Sequence, residues 1–432
     1  MPGGLLRGAL GLSYDAAAAL ARAAAAVAPP GDSKLLRALA ARRGIRARYA
    51  RWAEGGRDQT RPLLWIHAPS VGEGLQARPL LELARRERPD VQLAYTHFSP
   101  SALAFAGSLD VDFRDYLPFD TRGDALAALA ALQPTALVFS KLDVWPRLVV
   151  AASDRGVRLG MVSATLAARS SRRSRVAAAL LSHAYARLEF VGAIDETDAD
   201  RLVALGVRPG AITVTGDTRY DQVWERAAQV DRSGALLRPL AAARPTVVAG
   251  STWPADETPL LAAWVQVRAV LPSARLVIAP HEPTGSHLPP IERWARTAGL
   301  RLARLGAPDA PSADVVLVDR TGVLGDLYAL ADAAFVGGGF HDGGLHSVLE
   351  PAAFGVPVLF GPRYTASRDA RLLVSGGGGV SAPDPAAIKQ QLATWLADAA
   401  ARADAGARAR ALVRSGLGAA RRSFELVAKL LP

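Results

Sequence analysis

Short runs of apolar residues alternate with longer segments of mixed character along most of the chain. From Leu63 onward the short runs predict strands, and the longer segments repeat apolar positions with helical spacing. The first half of the pattern predicts strands at 63–66, 91–96, 136–139, 158–163, 190–193 and 212–215. After a mostly helical segment at 221–244, the second half predicts strands at 246–249, 276–279, 315–318, 333–336 and 356–360. Strands that alternate with helices in this way favour parallel sheets covered on both faces.

The helical segment at 221–244 separates two α/β halves, each of a size typical of single domains. We therefore predict an α/β fold with two Rossmann-like, doubly wound domains that face a cleft. The predicted boundaries are an N-terminal helical and basic segment at 1–60, a first Rossmann-like domain at 61–225, a second at 245–385 and a helical tail at 386–432. Within the first domain, the arginine-rich segment at 167–186 predicts one long helix.

The composition is that of a globular protein, with half of the residues hydrophobic and no cysteine. The lack of cysteine excludes disulfides, thiolate zinc sites and cysteine nucleophiles. The formal net charge of +11 favours polyanionic partners, such as phosphorylated substrates or anionic lipids. Seven basic residues and no acidic one lie between Lys34 and Arg51, a segment that also contains Tyr49 and is followed by Trp52. This combination favours a membrane surface, although an ordinary solvated face is the alternative.

The N-terminal stretch from Leu5 to Val27 is apolar, but it contains Asp15 and Arg22 and is rich in alanine. A membrane-spanning helix needs about 20 predominantly apolar residues with few or no charges, so we do not predict one here. No cleavage site for a signal peptide follows a short leucine-rich core. A helix that lies in or near a membrane interface remains open.

The sharpest local pattern is a glycine-rich stretch from Gly337 to Gly344 that leads into Glu350. It follows a predicted strand and precedes a helix, where backbone amides and the helix dipole attract phosphate. Glu350 is placed to accept hydrogen bonds from a ribose diol. The residues predicted to bind a nucleotide-sugar in this stretch are Gly338, Gly339, Gly344, His346, Ser347 and Glu350. Glycines that serve only a tight turn are the alternative.

A second strand-to-helix junction places Glu73 between two glycines at the start of a helix. An exposed carboxylate there can accept a proton from an attacking hydroxyl group. The alternative is an acidic residue that only complements the helix dipole. His67 and Ser70 precede Glu73 and are candidates for orienting a ligand, although a histidine after a strand is more often a structural group.

Three further junctions carry polar residues at the carboxyl ends of predicted strands. Ser251 and Thr252 follow the first strand of the second half, and His281 follows the next strand. Arg219 closes the first half and is a candidate partner for an anionic substrate group. Each signal is weak alone, but all fall where a ligand binds in an open parallel sheet.

Taken in order, these segments resemble the Kdo transferases of lipopolysaccharide synthesis, which move 3-deoxy-D-manno-octulosonic acid (Kdo) from its CMP donor to a lipid A precursor. The resemblance runs from about Pro62 to Gly379. It rests on the segments at 67–73, 116–120, 216–221, 250–254, 279–283, 337–351 and 360–362. Two departures stand out. Lys141 and Asp143 lie where many members have Thr-Glu-Leu before a Trp-Pro pair, and Ser347 lies where the donor loop usually has asparagine.

The resemblance implies a GT-B glycosyltransferase that transfers Kdo to lipid IVA with inversion, without a metal ion, and with Glu73 as the general base. It also implies a nucleotide-sugar donor, a phosphorylated glycolipid acceptor and peripheral attachment to the cytoplasmic face of the inner membrane. The candidate acceptor contacts are His67, Ser70, Lys141, Asp143 and Arg219. Two alternatives remain: another enzyme of this fold that uses a UDP-sugar, and a catalytically silent homologue that binds lipid or nucleotide. Nucleic acid is not an expected partner, because no base-reading module accompanies the arginine clusters.

Overall fold

The computed structural model describes residues 2–29, 31, 33–167, 170–241 and 244–432. The chain forms two compact units: unit 1 comprises Met1–Gln222 and Gly418–Pro432, and unit 2 comprises Val223–Leu417. Each unit contains a seven-stranded parallel sheet with flanking helices, so the predicted α/β class with two Rossmann-like units is confirmed. The segment predicted as a single helical tail at 386–432 is divided, because its last helix belongs to unit 1.

In unit 1 the sheet has the strand order β3-β2-β1-β4-β5-β6-β7. Its strands are β1 Leu63–His67, β2 Gln92–His97, β3 Phe113–Tyr116, β4 Ala136–Ser140, β5 Arg158–Ala164, β6 Phe190–Ala193 and β7 Ile212–Val214. The helices that precede β8 are α1 Pro2–Val27, α2 Lys34–Ala40, α3 Ile45–Gly55, α4 Val71–Glu87, α5 Leu103–Gly107, α6 Arg122–Leu132, α7 Pro146–Ser153, α8 Arg175–Tyr185, α9 Glu196–Leu205 and α10 Thr218–Gln229. The last of these begins in unit 1 and ends in unit 2.

In unit 2 the sheet has the strand order β10-β11-β9-β8-β12-β13-β14. Its strands are β8 Thr246–Thr252, β9 Arg275–Pro280, β10 Leu302–Arg304, β11 Val315–Leu317, β12 Ala333–Val336, β13 Val358–Phe360 and β14 Gly379–Ser381. The remaining helices are α11 Pro254–Val270, α12 Leu288–Thr297, α13 Leu324–Leu327, α14 Leu349–Ala353, α15 Arg368–Ser375, α16 Pro385–Ala397, α17 Ala399–Ser415 and α18 Ala419–Ala428, the last of which packs in unit 1.

The central strands are buried on both faces, which explains their continuous apolar sequence. In β1, Leu63 and Trp65 pack into one apolar cluster, whereas Leu64 and Ile66 pack into the cluster on the opposite face. All four side chains are fully buried. Side chains of successive strand residues point to opposite faces, so a strand covered by helices on both sides has no polar face.

The first strand of each sheet lies at the point where the strand order reverses. β1 pairs with β2 on one side and with β4 on the other. β8 pairs in the same way with β9 and β12. Ligands of open α/β sheets bind beyond the carboxyl ends of strands at such switch points. The segments that follow β1 and β8 are therefore the places to examine for chemistry.

The prediction of one long helix over 167–186 is wrong in the part that the structure describes. A short 3₁₀ turn at Ser171–Arg173 precedes α8, and the two are separated at Ser174. The Ser174 hydroxyl accepts a hydrogen bond from the Ala177 N–H, 3.2 Å away, and so caps α8. Serine favours this capping role over a helix interior, which explains the break. Residues 168 and 169 of the predicted helix lie outside the described residues.

Candidate active site

The carboxylate of Glu73 lies at the third position of α4, directly beyond β1. The Ser70 hydroxyl donates to its Oε2, and Lys141 Nζ lies 3.2 Å from its Oε1. The Ser140 hydroxyl donates a hydrogen bond to the backbone carbonyl oxygen of Glu73, 3.0 Å away. The Glu73 side chain is 16% exposed to solvent, and the Lys141 side chain is 42% exposed. Three of the residues singled out in the sequence therefore form one accessible group.

The backbone at Lys141 has a φ of +70°, which is unusual for any residue with a side chain. Its N–H donates to the Val162 carbonyl oxygen at the end of β5, at 2.8 Å. A left-handed conformation at a non-glycine residue costs roughly 1 kcal/mol or more and is concentrated at functional sites. The sharp turn after β4 brings the ammonium group to Glu73.

His67 is fully buried behind this group rather than in contact with a ligand. Its Nε2 accepts a hydrogen bond from the Trp145 indole N–H at 3.0 Å, and its Nδ1 lies 3.0 Å from the Thr96 hydroxyl oxygen. Burial lowers the pKa of His67 to about 3, so the imidazole is neutral, with its proton on Nδ1. The sequence prediction of a ligand contact at His67 is therefore not met, and the ring instead fixes the start of α7.

The other two candidate acceptor residues of unit 1 lie in ion pairs of their own. Asp143 pairs with Arg172. Arg219 pairs with the buried carboxylate of Asp217, with 2.6 Å between its terminal nitrogen and Oδ2. Both residues are half-buried, so each remains reachable from solvent.

In unit 2, the first glycines of the predicted donor loop serve close packing of the backbone. A methyl group at Gly337 would overlap the Ser251 carbonyl, and one at Gly339 would overlap the backbone of Gly361. Gly338 has a φ of +94°, and a side chain there would overlap the Gly344 carbonyl. Gly338 and Gly339 are also buried, and their contact with a ligand stays a prediction.

The amide of Gly338 and two other backbone amides bind a carboxylate of the protein itself. Asp256 accepts hydrogen bonds from the N–H groups of Gly338, Phe340 and Trp253, at 2.8, 3.0 and 3.0 Å. Its side chain is fully buried. The sequence predicts that the Gly338 amide attracts a phosphate. In the structure this amide donates to Asp256 instead, and the carboxylate holds the shape of the loop.

An aromatic group lies at the accessible side of the same loop. The Trp253 indole N–H donates to His346 Nε2 at 3.1 Å. His281 stacks on both rings, with centroids 4.7 Å from Trp253 and 4.4 Å from His346. Burial, with His281 and His341 nearby, lowers the pKa of His346 to about 4. His346 is therefore a neutral acceptor, and exposed His281 covers it.

The remaining candidate donor contacts differ in accessibility. Thr252 is buried and its hydroxyl donates to Glu257 Oε1 at 2.9 Å, so the prediction of a direct contact is not met. Ser251 is half-buried with a strained φ of +54°, Gly344 has open space beside its Cα, and Ser347 is exposed.

Glu350 is half-buried, and no hydrogen-bond donor to its carboxylate lies in the described part of the chain. Burial raises its pKa, and neighbouring Arg226 opposes this effect while Asp326 adds to it. A partly desolvated carboxylate without protein donors is stabilised when water or a ligand supplies them. Its place at the start of α14, after the loop, agrees with the predicted contact to hydroxyl groups.

Three arginines of the basic segment from Lys34 to Arg51 make side-chain contacts within unit 1. Arg42 is buried, and its guanidinium donates to the carbonyl oxygens of Leu117, Ala38 and Phe98. This burial lowers the pKa of Arg42 to about 10. Arg46 pairs with Asp124 and Arg48 with Asp115. Buried Arg42 therefore faces no membrane, whereas Arg46 is exposed and Arg48 half-buried, so the membrane-facing role of the cluster stays a prediction for these two.

Helix α1 makes polar contacts with the rest of unit 1 and exposes several large apolar side chains. The Tyr14 hydroxyl donates to Asp120 at 2.7 Å, and Asp15 pairs with Arg147. Leu12, Leu20 and Val27, which the spacing of an α-helix puts on one side, are 73%, 71% and 82% exposed. None of the helices in the described ranges has the length and apolar character needed to cross a bilayer.

The sequence analysis missed Asp256 and the two tryptophan–histidine bonds. A signal for them was present, because Trp145 and Trp253 each precede a proline at a helix start. Each indole N–H donates a hydrogen bond to a histidine of its own unit. The paired Trp-Pro motifs would have pointed to this shared feature.

Comparisons with known proteins identify the family. The family described as 3-deoxy-D-manno-octulosonic-acid transferase (kdotransferase) matches residues 43–222. The 3-deoxy-D-manno-octulosonic acid transferase of Bordetella pertussis is 30% identical over 395 residues, which cover 87% of this chain and 90% of that protein. The protein of the same name from Haemophilus influenzae is 27% identical, over 69% of this chain and 70% of that protein.

Solved structures show the fold independently of these sequences. The UDP-GlcNAc 2-epimerase of Neisseria meningitidis, solved with UDP-GlcNAc bound, superimposes with a TM-score of 0.61 at 13% identity, covering 85% of this chain and 99% of that chain. At this identity the likeness shows the GT-B architecture alone. The sequence relatives decide the family: this chain belongs to the Kdo transferases, a family of glycosyltransferases.

Proposed function

We propose that this chain transfers Kdo from CMP-Kdo to lipid IVA with inversion, and that Glu73 is the general base. The observation that carries the proposal is the accessible Glu73 carboxylate, held by Ser70 and Lys141 at the switch point of the first sheet. The family relationship supports the sugar, because the named relatives are Kdo transferases.

The proposed reaction is a single displacement. An acceptor hydroxyl oxygen attacks the anomeric carbon C2 of Kdo while Glu73 accepts the hydroxyl proton. The bond between C2 and the phosphate oxygen breaks, and CMP leaves with the electron pair. The proton then passes from Glu73 to solvent. One displacement inverts the configuration at C2.

The donor nucleotide is assigned to the accessible part of the unit 2 loop. Ser251, Gly344 and Ser347 offer hydroxyl and amide donors there, and His346 and His281 offer flat rings. Glu350 is assigned to the ribose hydroxyls, which would supply the donors that its carboxylate lacks. Fixed dipoles of this kind can stabilise a leaving phosphate without a metal ion. We accordingly expect the rate to be unchanged by EDTA, and a rate restored only by added Mg²⁺ would contradict this part.

The acceptor is assigned to a membrane surface, which the outward face of α1 would contact. Replacing Leu20 and Val27 by aspartate should reduce co-sedimentation with vesicles that contain anionic lipid about tenfold or more, because each buried leucine-sized side chain contributes roughly 1.5–3 kcal/mol. Val203, which is 41% exposed on α9, provides the control Val203→Asp. Unchanged vesicle binding of the double variant would remove α1 from the proposal.

The decisive assay follows labelled Kdo from CMP-Kdo, generated in situ, into lipid IVA. We expect labelled glycolipid with wild-type protein, and greater thermal stabilisation by CMP than by UDP. Turnover of a UDP-sugar with preferential stabilisation by UDP would replace the proposal with another enzyme of the fold. Nucleotide or lipid binding without turnover of either donor would indicate a catalytically silent homologue.

A further inference from the structure

The ammonium group of Lys141 has more hydrogen-bonding capacity than the protein uses. Lysine carries three N–H donors. Within the described residues, the Lys141 ammonium has one acceptor, Glu73 Oε1 at 3.2 Å. With 42% of the side chain exposed, two donors face solvent or a ligand beside the proposed base.

The choice of lysine at this position is itself unusual for the chain. Lysine occupies only positions 34, 141, 389 and 429 among 51 basic residues, and all the others are arginine. Lysine presents a compact point charge on a flexible stem, whereas arginine presents a planar fork suited to one carboxylate at a time. Lys141 also adopts the strained φ of +70° that brings it to Glu73. Both features indicate that Lys141 has a specific role beside Glu73.

The chemistry of the donor sugar defines that task. In an octulosonic acid, the carboxylate carbon C1 is bonded directly to the anomeric carbon C2. A base that accepts the proton of the attacking hydroxyl must lie within hydrogen-bond reach of that oxygen, and therefore close to C2. The reaction thus brings the Glu73 carboxylate and the sugar carboxylate close together, and like charges at such a distance repel.

We propose that Lys141 binds the C1 carboxylate of the donor sugar while it remains paired with Glu73. This inference rests on the proposed function and adds the residue that selects an acidic sugar. One ammonium group can donate to both carboxylates at once, which removes their repulsion and fixes C2 relative to the base. The two arginines of unit 1 that pair with candidate or adjacent carboxylates are already committed, since Arg172 pairs with Asp143 and Arg219 with Asp217.

The test compares two donors and four proteins. The donors are CMP-Kdo and its analogue in which the C1 carboxylate is a carboxamide. The proteins are wild type, Lys141→Gln, Lys141→Arg and, as the matched control, Lys389→Gln on α16. The readouts are kcat and KM for each donor, KM for lipid IVA, and the thermal unfolding midpoint as a check of folding.

We expect wild-type protein to prefer the acid over the amide in kcat/KM by a factor of about 10 to 100, the worth of a hydrogen bond to a charged group. Lys141→Gln should reduce this preference to near one, Lys141→Arg should retain part of it, and Lys389→Gln should leave it unchanged. The preference is informative because a lysine that merely held Glu73 in place would slow both donors equally.

Three outcomes would overturn the inference. An equal loss with both donors would make Lys141 a positioning residue for Glu73 alone. An intact acid preference with a raised KM for lipid IVA would assign Lys141 to an acceptor phosphate. No transfer of Kdo by wild-type protein would overturn the proposed function itself, and this inference with it, which separates that failure from the other two.

Discussion

Glu73 in unit 1 and Asp256 in unit 2 occupy the same place in their sheets and have opposite characters. Each is the third residue of the helix that follows the first strand, β1 or β8, at the switch point. Glu73 keeps an accessible carboxylate between a hydroxyl and an ammonium group. Asp256 is fully buried and accepts three backbone N–H groups.

The difference shows that the partners of an acidic residue, and not its position, decide its role. An acidic residue in the first turn of a helix is favoured by the helix dipole in either case. Asp256 is buried and accepts three backbone N–H groups, so its carboxylate shapes the loop and is not accessible to a substrate. Side-chain partners at a solvent-accessible edge leave Glu73 able to accept a proton.

Replacement of Glu73 by glutamine should have the largest effect on activity and little effect on stability. Loss of a general base typically costs 10²–10⁴-fold in rate, so we expect kcat to fall by about that factor. The thermal unfolding midpoint should stay within about 2 °C, since the side chain is accessible and uses few buried partners. Glu82→Gln, an exposed position on the same helix, is the control. Retained kcat in Glu73→Gln would remove the contrast with Asp256.

Replacement of Asp256 by alanine should instead unfold the loop. It leaves three backbone donors without an acceptor, each at a cost of about 1–3 kcal/mol, so we expect the free energy of unfolding to fall by about 4 kcal/mol. Stabilisation by CMP should disappear with the loop. Asp384→Ala, which removes one capping bond from α16, should cost only about 1 kcal/mol. A stable Asp256→Ala protein with normal CMP binding would contradict the scaffold role.

Acidification should test the tryptophan–histidine bonds that both units share. The pKa of His67 is about 3 and that of His346 about 4, both below the value near 6.5 of an unfolded histidine. The unfolded chain therefore takes up protons first as the pH falls below about 6.5, and stability declines from there toward pH 4. Above pH 6.5 these two histidines are neutral in both the folded and the unfolded chain, so they cause no loss of stability there.

The measurement is the unfolding midpoint from pH 7 to pH 5 in wild type and His67→Gln. At pH 5, His67 should account for a loss of about 2 kcal/mol relative to pH 7, and half-buried His346 for less. His67→Gln should show a shallower pH dependence than wild type. Equal slopes would mean that the buried ring of unit 1 does not remain neutral in the folded protein.

The smallest predicted effect distinguishes two glycines of the same loop. Gly339→Ala should destabilise unit 2 by about 2 kcal/mol, because its methyl group overlaps the backbone of Gly361. Gly344→Ala should cost about 1 kcal/mol, since a methyl group there meets open space and only the φ of +94° is strained. Chemical denaturation compares the two variants. The reverse order would assign the packing role to Gly344.

The sequence predicts the fold well where burial is continuous and fails where it is not. Every central strand, such as β1 and β8, was predicted because helices on both faces demand an unbroken apolar run. Among the edge strands that the structure describes, β3, β10 and β14 were missed and β7 was predicted, since a strand with one neighbour needs no such run. Ser174 is a helix cap within an otherwise helical pattern, and there the pattern predicts a helix that is too long.

At the candidate site, the sequence identifies which junctions matter but not which groups are exposed. Glu73, Ser70 and Lys141 were singled out and do meet. Gly338 was expected to bind a ligand, yet its amide is taken by Asp256. The pairing of a loop amide with a residue 82 positions away is a tertiary contact that leaves no local pattern.

The configuration at C2 of the transferred Kdo tests the central claim most directly. A single displacement assisted by Glu73 must give a glycolipid whose anomeric configuration is opposite to that of CMP-Kdo, as read by nuclear magnetic resonance of the product of wild-type protein. Retention of configuration would require two displacements through a glycosylated side chain. That result would contradict the assignment of Glu73 as a general base in an inverting transfer.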